Sequence, residues 1–153
     1  MAQVEDDPAR RGGAGPAEDG RARMREARVA RLATAGADGA PHLVPVTFAL
    51  AGDRIVTAID HKPKRTTDLR RLRNIRANPK VSVLVDHYDD DWTRLWWVRA
   101  DGLATLVERE DERAAVLAPL VTKYPQYVDN VPAGPVILIQ ITRFATWSYS
   151  GDI

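Results

Sequence analysis

The sequence predicts a mostly β fold, a small antiparallel barrel of about six strands with peripheral helices. Three observations predict it. Short apolar segments with strand-like alternation or β-branched composition recur along the chain, among them RIVTAI, VSVLV and VILIQI. Turn chemistry at hairpin spacing, Gly36-Ala37-Asp38-Gly39 and Ala51-Gly52-Asp53, separates the three earliest strands. Helical periodicity is confined to brief stretches between strands. Three consecutive antiparallel strands joined by short turns make a meander, and a meander extended by helix-linked strands closes most simply as a barrel.

The chain has 153 residues, enough for one domain with a buried core, and 44% hydrophobic with 28% charged residues is ordinary globular composition. Cysteine is absent, which excludes disulfides, thiolate nucleophiles and Cys-ligated zinc or iron–sulfur sites. No apolar run reaches the roughly 18–20 residues of a membrane helix. The N-terminus carries no apolar h-region, and the expected compartment is the cytoplasm.

Residues 1–23 are rich in Ala, Gly, Arg, Asp and Glu and nearly devoid of apolar side chains, so they are expected to form a disordered tail ahead of a single domain over 24–153. Met24 to Ala30 is a short helical candidate. Strands are expected over Val29–Ala35, Pro41–Leu50 and Arg54–Ile59, with Pro45 placing the second at an edge or a bulge. A helix capped by Thr66, Thr67 or Asp68 follows, with Leu69, Leu72 and Ile75 on one face and Asn78-Pro79 as its stop. Val81–Val85 reads as a core strand, Asp86–Asp91 as an acidic loop, and Arg94–Leu106 as a long strand with a bulge or bend at Gly102. A helix over Glu108–Thr122 should kink or end at Pro119, and Tyr124–Pro135 is a proline-rich loop. The last strand, Val136–Tyr149, is apolar on both faces. One face therefore belongs to the barrel interior and the other to a helix or a partner.

Chemistry concentrates between Lys62 and Lys80, where eight basic residues face the single acid Asp68 in a chain of net charge +1. Lys62, Lys64 and Arg65 follow a strand, and Thr66 and Thr67 precede a helix start, an arrangement suited to phosphate or carboxylate. A solvated basic face is the plainer alternative, and the basic helix also admits a nucleic-acid reading. Arg70, Arg71, Arg73 and Arg76 spread over more than half the helix circumference, so most of them should face solvent or pair with the acids of DHYDDD and EREDE, while one of them, taken as Arg71, turns back to a ligand. The scattered histidines form no metal motif, and neither a nucleophile–base pair nor a Gly-rich phosphate loop occurs, so no catalytic side chain and no metal are expected. A cofactor then carries any chemistry. Trp96 and Trp97 are adjacent in one strand and face opposite sides, one for the core and one for a cleft or interface.

The order ARVARLAT, GADGAPHLVPVTF, basic loop KPKR, helix and NPKVSVLVD, followed by DWTRLWWVRADG and ITRFATWSYS, resembles the split β-barrel flavin and deazaflavin oxidoreductases, the pyridoxamine 5′-phosphate oxidase-like superfamily. Within it, the chain most resembles the branch that uses coenzyme F420. The resemblance covers roughly Ala27 to Ser150. It implies a six-stranded split barrel, a homodimer with cofactor sites at the subunit interface, and hydride transfer between the deazaflavin and a small conjugated or heterocyclic substrate. FMN on the same barrel is the alternative cofactor, and a non-catalytic cofactor-storage protein the alternative role. Carried onto this chain, the resemblance gives the phosphate to Lys62, Lys64, Arg65 and Arg71. The tricyclic ring falls to Val44, Pro45, Val46 and Thr47, partly through main-chain contacts, with Thr57, Ala58 and Ile59 from the next strand and Trp96 or Trp97 from the partner subunit. Neither nucleic acid nor membrane is an implied partner.

Overall fold

A computed structural model describes residues 16–59 and 69–151. All its strands belong to one antiparallel sheet. The chain runs α1 (Pro16–Glu26), β1 (Ala30–Ala35), β2 (Pro41–Val46), β3 (Ala49–Ala51), β4 (Arg54–Ala58), α2 (Arg70–Ala77), β5 (Lys80–His87), β6 (Trp96–Val107), α3 (Glu110–Lys123), α4 (Gln126–Asp129) and β7 (Val136–Ser148). The sheet has seven strands in the order β2-β1-β5-β6-β7-β4-β3. The expected count was six. The segment Pro41–Leu50 divides at Thr47-Phe48, so its two halves are separate strands on opposite edges of the sheet. Two residues can link opposite edges only if the sheet curls until those edges meet. Seven strands therefore form a half-barrel split at Thr47-Phe48.

Local chemistry accounts for several features. Pro45 has no N–H to donate, and β2 is an edge strand paired, among the described residues, only to β1. The register of β6 against β7 shifts between Asp101 and Gly102, where a Cβ on Gly102 would collide with the main-chain oxygen of Gln140. Strand β6 continues to Val107 and α3 runs unbroken from Glu110 through Pro119, so this proline neither ends nor divides the helix. The proline-rich stretch after it contains the short α4.

The concave side holds the main core. Leu32, Phe48, Ile55, Val83, Val85, Val98, Ile137 and Ile139 meet there with Leu72 and Ile75 of α2 and Met24 of α1. Helix α2 starts at Arg70 with Leu69 at its N-cap position, not at a cap drawn from Thr66 to Asp68, which lie outside the described residues. Its C-cap is Asn78, as the Asn-Pro pair predicts. Asn74, buried in α2, donates to Thr34 Oγ1 at 3.0 Å and fastens the helix to β1.

Helix α1 differs from the sequence expectation. It begins at Pro16, so residues 16–23 are helical and the structured domain starts before Met24. Its contacts explain why charged composition did not disclose it. Arg21 lies over the Phe144 ring at 4.9 Å and pairs with Asp53 at 3.1 Å, Arg23 lies over Trp96 at 4.7 Å, and Met24 is fully buried. Arginine stems and guanidinium planes cover apolar surface here, in place of aliphatic residues. On the convex side, α3 and α4 cover β3, β4 and one half of β7 through a second core of Val56, Ala58, Leu117, Leu120, Tyr124 and Val136. The double-sided apolar character of β7 is thus met over that half by the barrel interior and a helix.

Candidate functional site

Two features of the curled sheet bring chemistry-bearing residues together: the seam at Thr47-Phe48 and a convex groove that no described residue covers. The seam is held by hydroxyls. Thr57 Oγ1 donates to the main-chain oxygen of Thr47 at 2.7 Å, joining the end of β2 to β4. Tyr124 Oη accepts from Phe48 N at 3.2 Å and lies 3.1 Å from Phe48 O and 2.9 Å from Arg28 O. Thr47 Oγ1 and Tyr127 Oη are 2.8 Å apart. The two segments expected to line a ring, Val44–Thr47 and Thr57–Ile59, therefore converge here.

Their side chains do not all point alike. Val46 is buried in the main core and Val44, partly buried, packs against it, so what they offer a ligand is chiefly main chain, on the edge of β2 that no described strand pairs. Pro45 is exposed opposite Arg31. Thr57 is buried, Ala58 lies under α3, and Ile59 packs on the main core beside Gly134.

The groove lies where α3 does not reach, over the convex face of β1, β2, β5, the start of β6 and the end of β7. It encloses about 860 Å³ and is lined by Ala33, Leu43, Leu84, Trp96, Trp97 and Trp147, with Arg31, Asp86 and Arg99 among them and Tyr88, Trp92 and Tyr149 at its margin. Exposed apolar area is large for a folded chain: Leu43 is 66% and Trp92 61% accessible. Trp97 and Trp147 are cross-strand partners, and Arg99 lies over Trp97 at 5.7 Å. Trp96 is more confined. Arg23 covers its ring, and His87 stacks on it at 6.0 Å with a 17° interplanar angle. Trp97 is thus the freer of the two expected rings.

The basic cluster is only partly in view. Lys62, Lys64 and Arg65 lie outside the described residues. Arg71 is half-buried at the start of α2, and Arg70 and Arg71 are close enough to His42 to lower its pKa. Burial is the larger cause of that shift, followed by Arg70 and then Arg71. Among the described residues, the Nδ1 atom of His42 is buried without a hydrogen-bond partner. A neutral imidazole beside two guanidinium groups is an electropositive corner, and an anion there would relieve the repulsion. Further along α2, Arg76 pairs with Glu108 at 2.8 Å, as expected of the outward arginines. The acidic loop serves its own backbone: Asp89 accepts from Asp91 N, and Asp91 accepts from Thr93 N and Oγ1.

Sequence reasoning did not find Leu43, Leu84, Trp147, Tyr124 or Tyr127. Alternation could place Trp97 and Arg99 on one face of β6, but only the register sets Trp147 beside Trp97. Tyr124 and Tyr127 fall in a segment whose prolines read as a loop.

A planar, anionic cofactor fits this donor set: aromatic walls, a free strand edge, and a basic corner. A reductase of 5a,11a-dehydrotetracycline and 5a,11a-dehydrooxytetracycline from Streptomyces rimosus is 28% identical over 126 residues, 80% of this chain and 76% of that protein. The crystal structure of the conserved hypothetical protein Rv2991 from Mycobacterium tuberculosis has the same fold, with TM-score 0.72 and 20% identity over 95% of this chain and 90% of that one. A FAD-binding protein from Mesorhizobium loti matches with TM-score 0.56 and 22% identity over 80% and 85% of the two chains. The family model for pyridoxamine 5′-phosphate oxidase matches residues 17–148, and with that match across nearly all of its length the chain belongs to the pyridoxamine 5′-phosphate oxidase family.

Proposed function

We propose that the protein is an oxidoreductase that uses coenzyme F420 to transfer a hydride to or from a small conjugated or heterocyclic substrate. The observation that carries an anionic cofactor is the corner made by Arg70, Arg71 and the pKa-depressed His42, whose two arginines follow the basic run Lys62, Lys64 and Arg65 in the sequence. Coenzyme F420 bears a phosphodiester and several carboxylates, so it suits this concentration of positive charge. The dehydrotetracycline reductase relative supports a conjugated substrate.

Each part of the chain has a task in this reading. Lys62, Lys64, Arg65 and Arg71 hold the phosphate. The free edge of β2 from Val44 to Thr47 offers main-chain groups to the ring edge, with Thr57 to Ile59 behind it. A second copy of the chain covers the convex groove, so that Trp97, and Trp96 at its margin, approach the partner's ring. When bound, the deazaflavin supplies the two-electron chemistry. The protein orients it and excludes water, which needs no acid–base side chain. FMN is the second reading, favoured by the family match and by the FAD-binding protein that shares the fold.

Titration of the purified protein with each cofactor separates the two, read by cofactor absorbance and by the His42 ring protons in NMR. We expect coenzyme F420 to bind and to raise the His42 pKa, because its phosphate offsets Arg70 and Arg71. Binding would then tighten as pH falls toward that raised value. Uptake of FMN alone would replace the first reading with the second, and an unmoved His42 would remove the phosphate from this corner.

A further inference from the structure

Around the seam, two kinds of hydrogen bond do different work. Thr57 Oγ1 to Thr47 O, and Tyr124 Oη with Phe48 N and O, satisfy main-chain groups where the strand ladder stops. Those bonds belong to the fold, because a buried main-chain group left without a partner is costly. The contact between Tyr127 Oη and Thr47 Oγ1, 2.8 Å, is of the other kind. It joins two side chains and satisfies no main-chain group. The seam keeps every main-chain bond without it.

What that contact does is select a direction. Thr47 is half-exposed at the end of the free edge of β2, and its hydroxyl could otherwise occupy more than one staggered position. Tyr127 is not free to follow it. Its ring is buried in the second core, edge-on to Tyr124 at 5.8 Å and 64°, and α4 sets its backbone. A phenol is a stronger donor than an aliphatic alcohol, so the chemically favoured arrangement has Tyr127 donating and Thr47 accepting. The Thr47 O–H is then polarised and left to donate onward from the strand edge.

We propose that Tyr127 is a positioning residue. Acting through Thr47, it presents one oriented hydroxyl donor to a carbonyl or imide acceptor on the edge of the bound ring. The assignment rests on the cofactor reading above and deepens it. Deazaflavin and flavin share such an acceptor edge, so it holds for whichever of the two the protein takes up.

The test is a double-mutant cycle on Tyr127→Phe and Thr47→Val, with Thr47→Ser as the conservative variant. Affinity and the absorbance band of the bound cofactor are measured for whichever of coenzyme F420 and FMN the wild type binds. Melting midpoints of the same samples report on the fold. Loss of one oriented hydrogen bond predicts about tenfold weaker binding for either single variant. The double variant should be no weaker than the worse single one, Thr47→Ser should stay near wild type, and all should remain folded at the assay temperature. Wild-type affinity in both single variants, or losses that simply add, would overturn the assignment while leaving the cofactor reading in place. A wild type that binds neither cofactor would overturn the cofactor reading and the assignment together.

Discussion

Lys123 is a cation placed where burial gives it little company. Its Nζ donates to Ala27 O at 2.6 Å and lies 4.0 Å from the centre of the Phe48 ring. Burial first, and then the charge of Arg28, pull its pKa from 10.5 to about 8. The unfolded chain therefore holds this proton more firmly than the folded one, and stability rises as pH increases from about 8 toward 10.5. Tyr124, whose pKa burial pushes above its ordinary 10, acts in the opposite sense at the upper end of that range. Thermal melting between pH 8 and 9.5 should show the midpoint climbing in wild type, and the climb should be smaller in Lys123→Met; an equal climb in both would assign it to other groups. None of this was legible in the sequence. Lys123 meets Ala27 across 96 positions, and Tyr127 meets Thr47 across 80. The basic run was legible because its residues are neighbours in the chain.

Elements were legible where their chemistry is local. Pro45 announced an edge strand, Asn78-Pro79 a helix end, and Gly102 a bulge, because each depends on the geometry of one residue. Gly102 also gives a direct prediction. A methyl group there would meet Gln140 O and sit 2.7 Å from Ile139 Cγ2, and the main chain of β7 cannot move aside cheaply. Gly102→Ala should destabilise the fold by about 1–3 kcal/mol, read as a lower urea midpoint with an unchanged slope. The division of Pro41–Leu50 was not legible, since both halves have strand composition and only barrel curvature decides where the ladder must stop. Helix α1 was met only at Met24–Glu26, where the helical candidate overlaps it, and its start was missed for a different reason: the surface it covers is reached by arginine planes lying on Phe144 and Trp96, more than seventy residues away along the chain.

At the scale of the molecule, fold class and most strand positions followed from composition and turns, but the uncovered convex face did not. It exists because α3 packs over one half of the sheet and nothing described packs over the other. We expect a second copy to cover it, and Leu43→Asp is the informative change. Leu43 is 66% exposed in the single chain, so a carboxylate there costs the isolated fold little. Analytical ultracentrifugation should find wild type as a dimer and Leu43→Asp as a folded monomer. A wild-type monomer would return the groove to solvent or to a small ligand.

The Thr47-Phe48 linker also bounds how far the split can move. From Val46 to Ala49 the chain takes three Cα steps, about 11 Å when fully extended. The two edges cannot separate beyond that length at the seam, whatever happens elsewhere. Any opening of the split is therefore pinned at Thr47 and Phe48 and can grow only with distance from them, toward Pro41 on one side of the linker and Ala51 on the other. Thr47 stays at the pinned point through such a motion, while His42, at the far end of β2, lies where the edge is least restrained.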